Sequence, residues 1–142
     1  MRLAWAIALA VASFAAPAVA GLFPMPVDPV EGRYTPAFYA CLASPDGVST
    51  YGMIMCMQKE DELQDARLNA AFKKVMAGLN ARQKAKLLAA QRAWIAFRDA
   101  ECTAYQDQDW GTISRVNASA CVLQMTAQRT MDLEHYPPGS AE

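Results

Sequence analysis

The residues that could do chemistry are concentrated in and around the stretch AAQRAWIAFRDAEC, residues 89–102, where polar groups surround two aromatic side chains. Catalysis by paired carboxylates needs two acids in one cleft, and the spacing of Asp65, Asp99 and Glu101 gives no reason to expect this. A nucleophilic triad needs a base beside its nucleophile, and the single histidine, His135, lies close to the end of the chain. No Gly-rich phosphate loop or metal-ligand spacing accompanies these residues. We therefore expect no catalytic residues, no cofactor, no metal site and no enzymatic activity.

A structural framework accounts for more of these polar residues. Helical spacing places Gln91 and Arg98 on the stripe that carries Trp94, and it places Arg129 on the apolar stripe of a later helix. Side chains on such stripes are partly buried and must find polar partners. An arginine between two helices bridges several acceptors and fixes the register of a small bundle. The expected network comprises Asp65, Asn69, Gln91, Trp94, Arg98, Asp99 and Arg129.

The elements that position these residues are helices. From about Met55 the chain is rich in Ala, Leu, Gln, Lys, Glu and Met, without proline before Pro137. Periodic apolar residues predict one helix that ends near Asn80, a second that starts after Ala81, and a third from about Asn117 to His135. Because the first link is short, the first two helices should run antiparallel. The predicted fold class is all-α: a small antiparallel bundle of about three main helices stapled by disulfides, with an extended Pro-rich N-terminal segment.

The N-terminal region predicts export. Residues 1–20 combine a basic residue, an apolar run and an Ala-Val-Ala end, which is typical of a signal peptide cut near Ala20/Gly21. We expect residues 21–54 to form a Pro-rich extended and turn-containing segment with the first cysteine, residues 55–136 the helical domain, and residues 137–142 a flexible tail. The expected location is the periplasm or the exterior, without membrane association after cleavage.

Four cysteines follow the predicted cut, and an even number in an exported chain favours two disulfides. No CxxC pair supports a zinc site instead. Reflecting the chain about the turn near Asn80 brings Cys56, Cys102 and Cys121 to one end of the bundle. We favour Cys41 with Cys56 and Cys102 with Cys121, because each pair joins sequence neighbours around one loop. The reflection also leaves Cys56 with Cys102 as an alternative.

The net charge of the chain limits the classes of partner that are expected. Without residues 1–20 the net charge is about −2, since the single Arg2 is lost from the 13 basic and 14 acidic residues of the whole chain. No basic face suited to nucleic acid stands out, so no nucleic-acid partner is expected. A slightly acidic protein is mildly favoured to meet a cationic partner.

A series of residues then resembles a known family, the LprI-type lysozyme inhibitor domain, also called the DUF1311 domain of exported bacterial proteins. The resemblance covers about Cys41 to Tyr136, and its most specific part is QRAWIAFRDAEC, residues 91–102. The other matching residues are Cys56, Asp65, Leu68, Asn69, Phe72, Leu79, Cys121, Thr126, Arg129 and Leu133. The resemblance implies an all-helical, disulfide-linked, exported domain that inhibits lysozyme.

Two functions follow as hypotheses. The first is a periplasmic protein that binds lysozyme and occludes its active-site cleft, with a contact loop that contains Asp107, Asp109, Trp110 and Thr112. The alternative is a non-catalytic envelope protein-binding or assembly module that does not inhibit lysozyme. In that case the segment 21–40 would carry the function, and its deletion would abolish binding while the helical body stayed folded.

Overall fold

A computed structural model of the chain describes residues 30–137. The predicted signal peptide 1–20, residues 21–29 of the Pro-rich segment and residues 138–142 of the predicted tail lie outside the described residues. All regular elements of the described part are helices and it contains no strand, which confirms the all-α prediction. The helices are α1 (Pro36–Leu42), α2 (Thr50–Ala77), α3 (Ala81–Ala104) and α4 (Ile113–Glu134), with short 3-10 turns at Glu31–Arg33 and Gln108–Trp110.

The described region has four helices rather than about three, because α1 forms where an extended segment was predicted. Thr35 caps α1 by accepting a hydrogen bond from the Phe38 N–H at 3.2 Å. Pro36 stands at the start of α1, where a missing N–H costs no helical hydrogen bond. Proline therefore begins a helix here instead of extending the chain.

Two other helices begin earlier than predicted. α2 starts at Thr50 rather than near Met55, because the Ser49 side chain accepts a hydrogen bond from the Gly52 N–H and caps the helix. α4 starts at Ile113 rather than near Asn117. The start of α3 agrees with the prediction, since Asn80 and Gln83 form a capping box ahead of it.

α4 runs antiparallel to α3. The Cys102–Cys121 disulfide joins the end of α3 to the beginning of α4, and the Arg129 Nε donates to Gln91 Oε1 at 3.0 Å further along. Residue numbers therefore increase along α4 in the direction in which they decrease along α3.

α4 runs parallel to α2 and is its main neighbour in the described fold. Leu123 packs with Cys56, and the Thr130 hydroxyl donates to the Gln64 carbonyl at 3.5 Å. α2 and α3 thus run antiparallel, as expected of a hairpin, but α4 packs against both arms.

The buried apolar residues form a cluster at each end of the bundle. The end that contains the α2–α3 turn, here called the turn pole, has Leu68, Ala71, Leu79, Leu87 and Leu133. The opposite end, here called the disulfide pole, has Phe38, Cys56 and Leu123, together with the loops 43–49 and 105–112.

Both disulfides lie at the disulfide pole, and they join Cys41 to Cys56 and Cys102 to Cys121. These are the pairs that sequence neighbourhood favoured, and the alternative pairing of Cys56 with Cys102 does not form. Each crosslink closes one loop and limits its freedom in the unfolded chain. Among residues 30–137, no helix combines the length and the apolar character needed to cross a membrane.

Candidate functional site

The predicted polar network has its centre at Trp94, on the interface of α3 and α4. The Arg98 guanidinium lies 5.2 Å from the centre of the Trp94 ring, and the Arg129 guanidinium lies 5.8 Å from it. Arg129 also donates to Gln91, which is buried. The structure therefore brings Gln91, Trp94, Arg98 and Arg129 together, and cation–π contacts add to their hydrogen bonds.

The remaining network residues have more local roles. Arg98 donates twice to Asp99 on its own helix, at 3.0 and 2.8 Å, and reaches the Thr126 hydroxyl at 3.4 Å. Asn69 donates to the Asp65 carboxylate at 2.8 Å, and both residues are exposed on α2. Asp65 and Asn69 thus contact each other rather than the arginines that they were expected to join.

Asp61 occupies the position on α2 that Asp65 was expected to take. Its carboxyl is half-buried and close to Thr126 and Arg98. Burial raises the pKa of Asp61, while the Thr126 hydroxyl and the Arg98 charge act in the opposite direction. Asp61 lies one helical turn before Asp65, so periodicity alone could have suggested either residue.

A second polar cluster, which sequence reasoning missed, surrounds Glu60. Its side chain is 2% exposed and accepts hydrogen bonds from the Thr35 hydroxyl at 2.6 Å, the Thr35 N–H at 3.1 Å and the Gln64 amide at 2.7 Å. The only sequence signal is an acid at a position that shares the stripe of Cys56 and Gln64. Glu60 fixes the cap of α1 to the side of α2.

The preceding residues are held to the body by Arg33. Its carbonyl accepts from Gln64 at 3.0 Å and from Arg67 at 2.9 Å, and its guanidinium pairs with Glu134 of α4 at 2.8 Å. Phe38 is buried in the core of the disulfide pole. Deletion of residues 21–40 would therefore remove part of the folded body, contrary to the expectation for the envelope-module hypothesis.

The loop predicted to contact a partner has a defined local structure at the disulfide pole. The Asp107 carboxylate accepts from the Asp109 N–H at 2.8 Å, and the Ser114 hydroxyl donates to the Gly111 carbonyl at 2.7 Å. Gly111 has φ of 66°, a conformation that favours glycine. Thr112 and Asp109 are exposed, and the Trp110 side chain is 54% exposed. The four predicted contact residues thus lie on one short, internally hydrogen-bonded loop.

A second loop with exposed apolar residues lies at the same pole. Residues 43–49 follow α1, and the Ser44 hydroxyl donates to the Cys41 carbonyl at 2.7 Å and accepts from the Gly47 N–H at 3.1 Å. Val48 and Tyr51 are strongly exposed beside it. Two disulfide-closed loops therefore present apolar and aromatic groups in a region that a partner protein could cover.

The chain matches the family described as Lysozyme inhibitor LprI over residues 41–133, which is more than half of its 142 residues. The chain belongs to the LprI family of lysozyme inhibitors. An uncharacterized protein of Rhizobium meliloti (strain 1021) is 29% identical over 101 residues, covering 61% of this chain and 73% of the relative. No solved structure gives a significant match. The LprI match includes the Trp94 network, both disulfides and the 105–112 loop.

Charge is strongly segregated along this LprI-family bundle. Residues 43–65 and 98–119, in the half nearer the disulfide pole, carry nine acidic and three basic residues. Residues 66–90, which surround the α2–α3 turn, carry six basic residues and no acid, while the end of α4 at the same pole adds Asp132 and Glu134. α2 has 28 residues, so the bundle is about 40 Å long. Because this length is several times the screening length of physiological salt, a partner at one pole responds to the local charge of that pole.

The described residues offer no metal site. Within residues 30–137, no group of three or more His, Cys, Asp or Glu side chains is placed to hold a metal ion.

Proposed function

We propose that the protein is exported to the periplasm and inhibits lysozyme by inserting the 105–112 loop of the disulfide pole into the active-site cleft of the enzyme. Membership of the LprI family supports lysozyme as the partner. The observation that carries the choice of surface is Trp110, a large aromatic side chain that is 54% exposed at the tip of a disulfide-closed loop. Inhibition by occlusion needs no catalytic residue and no cofactor.

The geometry of the loop favours binding. Its hydrogen bonds from Asp109 to Asp107 and from Ser114 to Gly111, with the Cys102–Cys121 crosslink, hold the loop in one conformation before binding. Such preorganisation lowers the entropy lost on association. A tryptophan at the centre of an interface is a frequent hot spot.

The charge of the disulfide pole favours a cationic partner. Lysozymes are commonly cationic, so they should approach the acidic pole faster than the basic one. Screening by salt weakens this attraction. The association rate constant should therefore fall as the salt concentration rises, with a smaller effect on the dissociation rate constant.

The test is lysis of a peptidoglycan suspension by chicken-type, goose-type and invertebrate-type lysozymes, with the oxidised protein at equimolar and tenfold levels. We expect dose-dependent protection against at least one type. Trp110→Ala should weaken inhibition by about thirtyfold, which corresponds to a hot spot of about 2 kcal/mol. Phe97→Ala is the matched control, because Phe97 is an aromatic residue of similar exposure, 58%, on α3 away from the loop.

Two outcomes contradict the proposal at different levels. Equal loss in Trp110→Ala and Phe97→Ala, or no loss in either, would reject the 105–112 loop as the contact surface. Protection against none of the three lysozyme types by a folded protein with both disulfides would reject lysozyme inhibition. The envelope binding module would then become the leading function.

A further inference from the structure

The turn pole carries a cationic surface that the proposed function does not use. Net charge alone predicts no basic face, but the α2–α3 hairpin folds two basic stretches onto one end of the bundle. The side chains that form this surface are Lys73, Lys74, Arg82, Lys84 and Lys86, and all of them are exposed. Within residues 30–137, none of the five forms an ion pair. Five like charges at one end are thus without a paired acid in the described fold.

The nearest acids do not neutralise this surface. Asp132 and Glu134, near the end of α4, are the acids at this end of the bundle. Glu134 is paired with Arg33, and Asp132 accepts a hydrogen bond from Gln128 at 3.0 Å. The neutral Gln128 amide leaves the charge of Asp132 in place, so in the described fold this end keeps five cations against one acid without a cationic partner, and it favours an external anion.

An apolar groove adjoins the cations. It has a volume of about 330 Å³ and opens between the ends of α2 and α4, where Val75, Leu79 and Tyr136 line it. Lys74 and Glu134, which is paired with Arg33, also line it. A phosphate headgroup attached to an acyl chain fits this combination, whereas a nucleic acid or a sulfated polysaccharide uses only the charges.

We propose that the turn pole binds the surface of an anionic phospholipid bilayer. The five cations of the turn pole face the headgroups, and the groove beside Lys74 accepts apolar lipid. This mode departs from the expectation of no membrane association after signal cleavage, because it uses surface charge and a groove and needs no apolar helix. It leaves the acidic disulfide pole pointing away from the bilayer, toward an approaching cationic protein.

The test measures partition of the oxidised, exported protein onto phosphatidylglycerol–phosphatidylcholine vesicles by sedimentation. Mass spectrometry must first show that residues 1–20 are absent, because an apolar leader would bind any vesicle. We expect binding to the anionic vesicles, little binding to pure phosphatidylcholine, and weaker binding as salt increases. Heparin, a polyanion without acyl chains, should bind more weakly than the anionic vesicles.

The charge variants locate the surface. Lys84→Gln with Lys86→Gln should lower the partition coefficient by about thirtyfold, which corresponds to about 1 kcal/mol for each lost cation. The matched control is Lys59→Gln with Arg115→Gln, which removes two exposed cations from the opposite half of the bundle. The control pair should leave partition unchanged within about twofold.

Three results would overturn the proposal. They are no preference for anionic over neutral vesicles, equal losses in the two double variants, and binding of heparin as tight as that of the anionic vesicles. The last result would assign the surface to polyanions in general. Circular dichroism of each variant checks the fold, and lysis assays on free lysozyme report the proposed inhibition independently of the vesicles.

Discussion

Replacement of Glu60 by alanine should destabilise the protein more than any other single loss of an acid. The Glu60 carboxyl is 2% exposed and accepts three hydrogen bonds, two from Thr35 and one from Gln64. Alanine would leave these donors without their acceptor and would open a cavity on α2. The Thr35 hydroxyl also accepts from Phe38, so the loss would weaken the cap of α1 as well.

The size of the effect follows from the groups left unpaired. Each buried donor without an acceptor costs about 1–3 kcal/mol. Gln64 keeps its bond to the Arg33 carbonyl, and the Thr35 hydroxyl can rotate, so the lower end applies. We expect Glu60→Ala to lower the free energy of unfolding by about 3–4 kcal/mol, a large share of the 5–15 kcal/mol typical of a domain. Glu60→Gln keeps the shape and one acceptor, and should cost about 1–2 kcal/mol.

The assay is urea unfolding of the oxidised protein, combined with hydrogen exchange of the backbone amides of Thr35, Ala37 and Phe38. Faster exchange at these amides would locate the loss at the cap of α1. Glu62→Ala is the control, since Glu62 is an exposed acid on the same helix and should change stability by less than about 0.5 kcal/mol. A loss of less than about 1 kcal/mol in the free energy of unfolding for Glu60→Ala, or an equal loss for the control, would refute the conclusion that Glu60 fixes α1 to α2.

Two further predictions concern backbone packing and pH. Gly52→Ala should lower the free energy of unfolding by about 2–3 kcal/mol, because a Cβ there would collide with the Asp46 carbonyl. Gly32→Ala is the control and should be nearly neutral in thermal unfolding, since a Cβ at Gly32 meets nothing within 4 Å. Burial raises the pKa of Asp61 in the folded protein. Protonated Asp61 therefore stabilises the fold below about pH 4, and this stabilisation is lost as the pH rises through the folded pKa. The stability of Asp61→Asn relative to the wild type should therefore increase between pH 3 and pH 7 in urea unfolding, and a constant difference across this range would contradict the raised pKa.

Features that depend on residues close together in the chain could be predicted from the sequence. The sequence predicted a turn near Asn80 with a helix after it, and α3 begins there with a capping box, which depends on two residues three apart, Asn80 and Gln83. The helix periods identified the all-α class and the stripe of Gln91, Trp94 and Arg98. The favoured cysteine pairs join neighbours around one loop, and both disulfides follow that rule.

The features that the sequence did not predict depend on which helices pack together and on their register along the bundle axis. Periodicity reports the buried face of a helix, but it does not say that α4 packs against both α2 and α3. That arrangement places Asp61, rather than Asp65, beside Thr126 and Arg98. Proline-rich sequence predicts an extended chain, so α1 was not expected, although the first turn of a helix accepts proline once Thr35 caps it.

The amino-acid sequence by itself determined the helical class, the crosslinking cysteines and the motif that belongs to the LprI family, because each rests on residues close together in the chain. Only the tertiary structure decided that Glu60 is a buried acceptor for a cap 25 residues away. It also decided that a chain with almost balanced charge has one acidic and one basic pole. The physical reason is that net charge is a sum over the whole chain, whereas a partner meets only the charges that folding brings within a screening length of one another.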